Sequence, residues 1–481
     1  MFWRGIFGYL PVAFVQAATG ILTMVVFTRL LSPALYGAYV LGFSAGSLVQ
    51  VCLLSWTEAS TVRFWAIRQR DGQLSDHFAT LYRLWGLSAA AVPLAILVVL
   101  ALPLGKSLET ALIAALVSCL ANSVAKLALD KRRAAGETTK VAMLSVFQSA
   151  GGFLLGVGLV KLGLGGAAPL LGVGCASLVI CLLVLPTEIS SMSGGKFTPS
   201  FALEYANYGL PVSASLIMAT VLSSADRLIL GSMLGESVVG AYHAGYALGN
   251  RTLEVLFIWL NMAGAPALVA ALERGGKAAL NAAAKEQASL LILITLPAAV
   301  GLILVSRPLV EVMVGPALRA DAVRVTPWIA ASGWLSGVTT YYLMQAFGLA
   351  RRTKLLVLTM AIPAVLNIVL NVALIPIFGL EGALQATTAS YAVGLAAAWF
   401  FGRWACPLPF PIDVLLKVGL ASLVMALCVR QIPAIGGFGK LSVKAAVGAL
   451  VYGALALTFD IGGFRSRAVN LLRKAPETER P

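Results

Sequence analysis

Gly8-Tyr-Leu-Pro11-Val, Thr28-Arg29-Leu30-Leu31, Tyr36-Gly37-Ala38-Tyr39 and Gly42-Phe43 open the chain. They return as Tyr208-Gly-Leu-Pro211-Val, Asp226-Arg227-Leu-Ile, Val239-Gly240-Ala241-Tyr242 and Gly245-Tyr246. Each copy gives Leu-Pro-Val, a mostly apolar run, an Arg-Leu step, a short turn, and Gly-Ala-Tyr opening another apolar run. The second copy differs mainly by a few added residues in its turn. Two such copies in one hydrophobic chain predict two equivalent helical bundles, an architecture that places a binding site at the repeat interface.

Of 481 residues, 59% are hydrophobic and 11% are charged, and the apolar residues come in long runs. A soluble chain carries about twice that charge fraction. About fourteen spans of ~20 residues need roughly 280 residues, which the apolar content supplies. The fold class is therefore an all-α polytopic membrane protein. Its spans are expected near 6–29, 35–57, 78–101, 108–129, 141–160, 166–186, 207–231, 238–262, 286–306, 326–349, 354–375, 381–404, 411–431 and 440–461.

The net charge of +15 does not point to nucleic acid, because the cations sit between apolar runs. With the N-terminus inside, the inner breaks hold Arg63, Arg68 and Arg70; Lys131, Arg132, Arg133 and Lys140; Arg274, Lys277 and Lys285; Arg351, Arg352 and Lys354. The tail adds Arg465, Arg467, Arg473 and Lys474. Outer breaks hold fewer, such as Lys106, Lys161, Arg319 and Lys440. This asymmetry predicts both termini on the cytoplasmic side. The six cysteines have no close ligand spacing and read as packing residues, so neither a metal nor another cofactor is expected. The first apolar run is too long for a cleaved signal and should stay as a span.

The Ser-, Gly-, Lys- and Pro-bearing break Thr187 to Ala206 reads as a joint between lobes. The expected organisation is a six-helix N-lobe at 1–190, a six-helix C-lobe at 200–406, an extra helix pair at 407–462 and a tail at 463–481. Gly163-Leu-Gly-Gly166-Ala and Gly379-Leu-Glu-Gly382-Ala echo each other at matching places in the two lobes. Cys406-Pro-Leu-Pro-Phe-Pro411 makes a stiff connector to the last pair. The longest outer break, roughly Arg307 to Thr326, is too short for a folded catalytic domain.

The opening motif resembles the start of the polysaccharide flippases (Wzx type) of the multidrug/oligosaccharidyl-lipid/polysaccharide exporter superfamily. Two lobes and a helix pair extend that resemblance over nearly the whole chain. It implies a non-enzymatic transporter of the bacterial inner membrane, working by alternating access. The implied cargo is undecaprenyl-diphosphate-linked oligosaccharide for O-antigen, capsule or exopolysaccharide. A proton or sodium coupling ion, and the polymerase and glycosyltransferases of the same route, are implied partners. The rival cargoes are lipid II, or drugs exchanged for cations within the same superfamily. A membrane polysaccharide polymerase is the rival of another class, and the chain offers no nucleophile–His–carboxylate set for it.

Charges within spans are costly, about 2.5–3.5 kcal/mol each on insertion scales, and so need a reason. Arg251 and Glu254, three apart, share a helical face. They read either as a diphosphate-binding arginine with its partner or as a buried pair locking helices. Arg29 and Arg227 end equivalent helices and either grip the diphosphate or reach the outer headgroups. Asp226 adjoins Arg227 in sequence and is expected to neutralise some other neighbour. Glu58, late in the second span, is a coupling carboxylate or an interface residue. Lys126 and Asp130 read as a surface pair. His77 falls at an inner junction, and His243, at an outer one, is a candidate proton sensor. Pro11 and Pro211 sit at matching places as helix hinges. Gln16, Thr19, Thr23, Ser213, Ser215, Thr220 and Ser223 suit either a wet lumen or interhelical contacts.

Overall fold

Ser32 ends the first Arg-Leu step and Pro33 follows it, and together they start a helix. The Ser32 hydroxyl accepts from the Leu35 N–H at 3.4 Å, and proline takes the first helical position, where no N–H is needed. The structure, a computed structural model, describes residues 2–350, 352–432, 437–463 and 465. The side chains of 2–14 and of 353 are outside that description, as are Arg351 and the tail beyond 465.

The helices are α1 (Phe2–Leu30), α2 (Pro33–Leu53), α3 (Ser55–Arg70), α4 (Leu74–Ala89), α5 (Ala91–Ala101), α6 (Lys106–Ala134), α7 (Thr138–Val146), α8 (Gly152–Lys161), α9 (Ala168–Met192) and α10 (Pro199–Leu234). They continue as α11 (Glu236–Leu304), α12 (Ser306–Met313), α13 (Arg319–Val338), α14 (Gln345–Leu349), α15 (Thr353–Phe378), α16 (Leu380–Ala405), α17 (Ile412–Arg430) and α18 (Gly437–Thr458). No strand occurs among the described residues. Each expected span falls on helix. Ten stretches are individually long and apolar enough to cross a membrane. One of them, α11, has 69 residues and would be about 100 Å long if straight. It breaks at Gly276, where φ is 63° and ψ −154°, and so contains two of the expected spans.

The breaks differ from expectation in several places, two of which bear on the charged residues. The second span stops at Leu53, and α3 restarts at Ser55, so Glu58 lies in the first turn of α3 rather than late in the second span. Likewise 263–285, read as a loop for its charges, is helical apart from the turn at Gly276. Its Ala, Leu, Lys and Glu are strong helix formers, and propensity carries the helix past the last apolar turn.

By contact the chain forms two compact units, 1–243 and 244–481. In the first unit α2 and α6 meet through small residues. A Cβ on Gly42 would lie 2.8 Å from the Ala111 carbonyl, and one on Gly46 3.0 Å from the Ala115 Cβ. This four-residue spacing of small side chains lets membrane helices approach closely. The non-helical linker 193–198 is held on α4. The Lys196 N–H donates to Asp76 at 2.7 Å and the Thr198 N–H to the Thr80 hydroxyl at 3.1 Å. In the second unit α17 and α18 pack on the later part of α11 through Ile292, Leu293, Val414, Val418, Ala421 and Ala456. Exposed Leu94, Leu97, Leu183, Leu416 and Leu420 form the apolar outer surface expected in lipid.

The repeat is visible in the geometry. Gly163 and Gly379 both have positive φ, 87° and 59°, a conformation that side chains resist. More directly, the two Gly-Ala-Tyr motifs touch. A Cβ on Gly37, the fifth residue of α2, would lie 1.7 Å from the carbonyl of Glu236, the first residue of α11. A Cβ on Gly240, the fifth residue of α11, would lie 2.7 Å from the carbonyl of Pro33, the first of α2. The contact is reciprocal.

Candidate functional site

Glu58 is, with Asp226, the most enclosed of the expected charges, each 2% exposed. Lys126 Nζ donates to Glu58 Oε2 at 2.5 Å and Ser123 Oγ to its Oε1 at 2.7 Å, with Gln50 Nε2 more distant at 3.4 Å. Lys126 therefore pairs with Glu58 and not with Asp130, whose partner is Arg133 at 2.6 Å. The cause is burial: an uncompensated carboxylate inside the bundle costs several kcal/mol, so the lysine serves it first. Lys126→Met should lower the unfolding midpoint of the purified chain in detergent, and adding Glu58→Gln should recover most of the loss. Equal midpoints for parent and Lys126→Met would mean that Ser123 and Gln50 suffice.

Arg29 and Arg227 turn back along their own helices. Arg29 Nη1 donates to the Val25 carbonyl at 2.6 Å and Arg227 Nη1 to that of Ser223 at 2.5 Å, each four residues earlier. Their surroundings differ, since Arg29 is exposed and Arg227 is buried. Asp226, buried beside it, accepts from the Tyr242 hydroxyl at 2.5 Å and from the Arg227 backbone N–H at 2.8 Å. The repeat thus ties its Arg-Leu step to its own Gly-Ala-Tyr motif. In the first copy Thr28 stands where Asp226 does.

Arg251 and Glu254 share a face of α11 as the spacing requires, but both are exposed and form no ion pair with each other. The buried-pair alternative therefore fails. Gly245, Gly249 and Leu253, with Phe257, form the packed side of α11: added Cβ atoms at the two glycines would press on Val325 and Ala330 of α13. Positions 251 and 254 lie off that stripe, alongside exposed Val255 and Ile258. α10 runs through Pro211 without interruption. The side chain of its counterpart Pro11 lies outside the described residues.

Three clusters were not evident from sequence. Glu188 is buried at the end of α9, with Arg132 Nη1 at 2.8 Å, Lys131 Nζ at 3.0 Å and the Tyr82 hydroxyl at 2.9 Å, while Lys131 also reaches Ser191. Arg68 pairs with Glu204 and lies 3.7 Å over the Phe201 ring. His77 Nδ1 meets the Tyr205 hydroxyl at 2.5 Å. The only signal in the sequence was a lone carboxylate closing an apolar run, without an indication of its partner. These clusters fasten the cation-rich end of the first unit.

In the second unit an apolar groove of about 480 Å³ runs between the later part of α11, α17 and α18. Its walls include Leu293, Pro297, Met425, Gly448, Tyr452 and Gly453, and Lys444 is the charged residue on them. The Tyr452 hydroxyl is spent on the Leu293 carbonyl at 2.7 Å, leaving only its ring to the groove.

The fold is shared with solved transporters. "Lipid II flippase MurJ, inward closed conformation" is similar at 16% identity, over 94% of this chain and 98% of that one, with a TM-score of 0.76. An inward-facing multidrug resistance MATE family transporter of the MOP superfamily is similar at 14% identity, over 82% and 94%, with a TM-score of 0.64. A MATE in complex with MaD3S gives 14% identity, 82% and 93%, and 0.54. No curated protein matches by sequence. A family model described as "Polysaccharide biosynthesis protein" matches residues 26–319, well over half of the chain. With apolar helices on the scale of a multi-pass membrane protein and that match, the chain belongs to the polysaccharide biosynthesis protein family.

Proposed function

We propose that the chain flips undecaprenyl-diphosphate-linked oligosaccharide from the cytoplasmic to the periplasmic face of the bacterial inner membrane by alternating access. The observation that carries this reading is the groove of the second unit. Its walls are apolar but for Lys444, so it offers a polyprenyl tail a contact surface that a free sugar cannot use. Arg29, Arg227 and Arg251 are the diphosphate-binding candidates, because guanidinium pairs with phosphate oxygens bidentately. Lys126 releases Glu58 when a proton or sodium ion takes its place, which makes that pair the coupling candidate, with Asp226 and Glu254 as further candidates for that role. The lobes are 1–190 and 200–406, with the pair 407–462 lining the groove and both termini cytoplasmic.

A diphosphate carries about two negative charges, and an inside-negative potential favours outward movement by about 2.3 kcal/mol per charge per 100 mV. The potential alone assists export if the arginines stay fixed. The lipid II reading has the MurJ fold in its favour, and the cargo accumulated by a deletion strain distinguishes the two.

The test is Gly453→Phe. Gly453 lines the groove and an added Cβ there meets nothing within 4 Å, so the ring has open space to start from, and the unfolding midpoint checks the variant's fold. Surface polysaccharide should fall at least tenfold at unchanged protein level, as it should with Arg29→Ala and Arg251→Ala. Normal polysaccharide with the groove filled would sink the lipid-carrier reading.

A further inference from the structure

Two clefts that share Gln50 and Asn122 open inside the first unit. The larger, about 240 Å³, lies among α1, α2, α6 and α7 and is lined by Gln16, Gln50, Asn122 and Gln148, with Lys126 and Arg133. The smaller, about 120 Å³, continues between α2, α6 and α9. Four carboxamides line the larger cleft beside the cation-bearing end of α6, with Asp130 also on its wall.

Their hydrogen bonding is incomplete in a specific way. Gln148 Nε2 donates to the Ser177 hydroxyl at 2.7 Å, and that hydroxyl donates to Asn122 Oδ1 at 2.6 Å. Ser177 thereby fixes both amides and leaves the Asn122 NH₂ as a donor and the Gln148 carbonyl as an acceptor. Gln50 makes one long bond, to Glu58 at 3.4 Å, and Gln16 makes none among the described residues. A donor and an acceptor lining the same cleft suit a sugar hydroxyl, which both gives and accepts. The two cations do not change that preference. Lys126 is already paired with Glu58 and Arg133 with Asp130, so the cleft carries no net positive charge toward a phosphate.

We infer that this amide-lined cleft is a saccharide subsite that takes the hydroxyl and N-acyl groups of uncharged sugar residues, apart from the site that holds the diphosphate. The inference rests on the flippase reading and names the part of the first unit that recognises the glycan.

The experiment is ligand-observed saturation-transfer NMR on the full chain in lipid nanodiscs. The probes are di-N-acetylchitobiose, maltose and lactose, with pyrophosphate as competitor. Transfer to at least one disaccharide is expected, reduced at least fivefold in Gln16→Leu/Gln148→Leu and unaffected by pyrophosphate. No transfer to any of the three, transfer that persists in the variant, or displacement by pyrophosphate would each overturn the subsite. Unfolding midpoints check the variant's fold. If Gln148→Leu does not fold, Gln16→Leu alone carries the test, because its amide holds no other described group. The two readings fail separately. Normal export with Gly453→Phe, alongside amide-dependent sugar binding, removes the lipid carrier and keeps the subsite. Lost export with Gly453→Phe, alongside amide variants that bind and export as the parent does, removes only the subsite.

Discussion

Replacing Glu188 with alanine should destabilise the purified chain by about 3–5 kcal/mol, the range for breaking a buried ion pair by removing one partner. Glu188 is 4% exposed, and the side chains of Arg132 and Lys131 are 9% and 16% exposed. Without the carboxylate both cations stay in place with their charges uncompensated, and the Tyr82 hydroxyl loses its acceptor. Arg132 would retain only its bonds to the Ala128 carbonyl and the Thr187 hydroxyl. Glu188→Gln keeps the shape and one acceptor and should cost less. Adding Lys131→Met and Arg132→Met to Glu188→Ala should restore much of the loss, because no charge is then stranded. Unfolding midpoints in mixed micelles measure all three. A silent Glu188→Ala would mean that water already reaches the cluster.

Gly37→Val should have the largest functional effect of any single change outside the charged residues. Its Cβ would fall 1.7 Å from the Glu236 carbonyl, a distance no side chain tolerates, and the atom in the way is backbone. The starts of α2 and α11 would have to part, and Ser107 Oγ would lose its 3.0 Å bond to Glu236 Oε2. Export should fall below a tenth of the parent's at normal protein level. With the free cysteines replaced by serine, a Ser107→Cys reporter should react slowly with a maleimide in the parent background and quickly with Gly37→Val. Gly158→Val, where nothing lies within 4 Å, is the control and should be silent. Slow labelling in both backgrounds would show that the contact survives the substitution.

The helices were legible because apolar runs of membrane length leave few alternatives. Where they start and stop was less so. Hydropathy reports where the lipid ends, and at 263–285 the helix continues beyond it on alanine and glutamate; at Leu54 it interrupts a run that hydropathy reads as continuous. The site was partly legible. Glu58 stood out as an intramembrane carboxylate, but its partner Lys126 lies far along the chain, and nothing local distinguishes a lysine that pairs at distance from one that pairs with Asp130 a turn away. Arg251 and Glu254 show the converse, since shared face is a property of spacing and contact is not. The cleft amides were noticed only at Gln16, because an amide's meaning depends on which of its two ends is already occupied.

The touching glycines bear on ancestry. The fifth residue of α2 rests on the first residue of α11, and the fifth of α11 on the first of α2, so a position meets its own duplicate. That is how two identical subunits meet across a dyad, where one patch must fit itself. A half-length forerunner that paired as a homodimer would need just one glycine here to satisfy both sides. Fusion would leave two, and each would then be free to change only if its twin's neighbour withdrew.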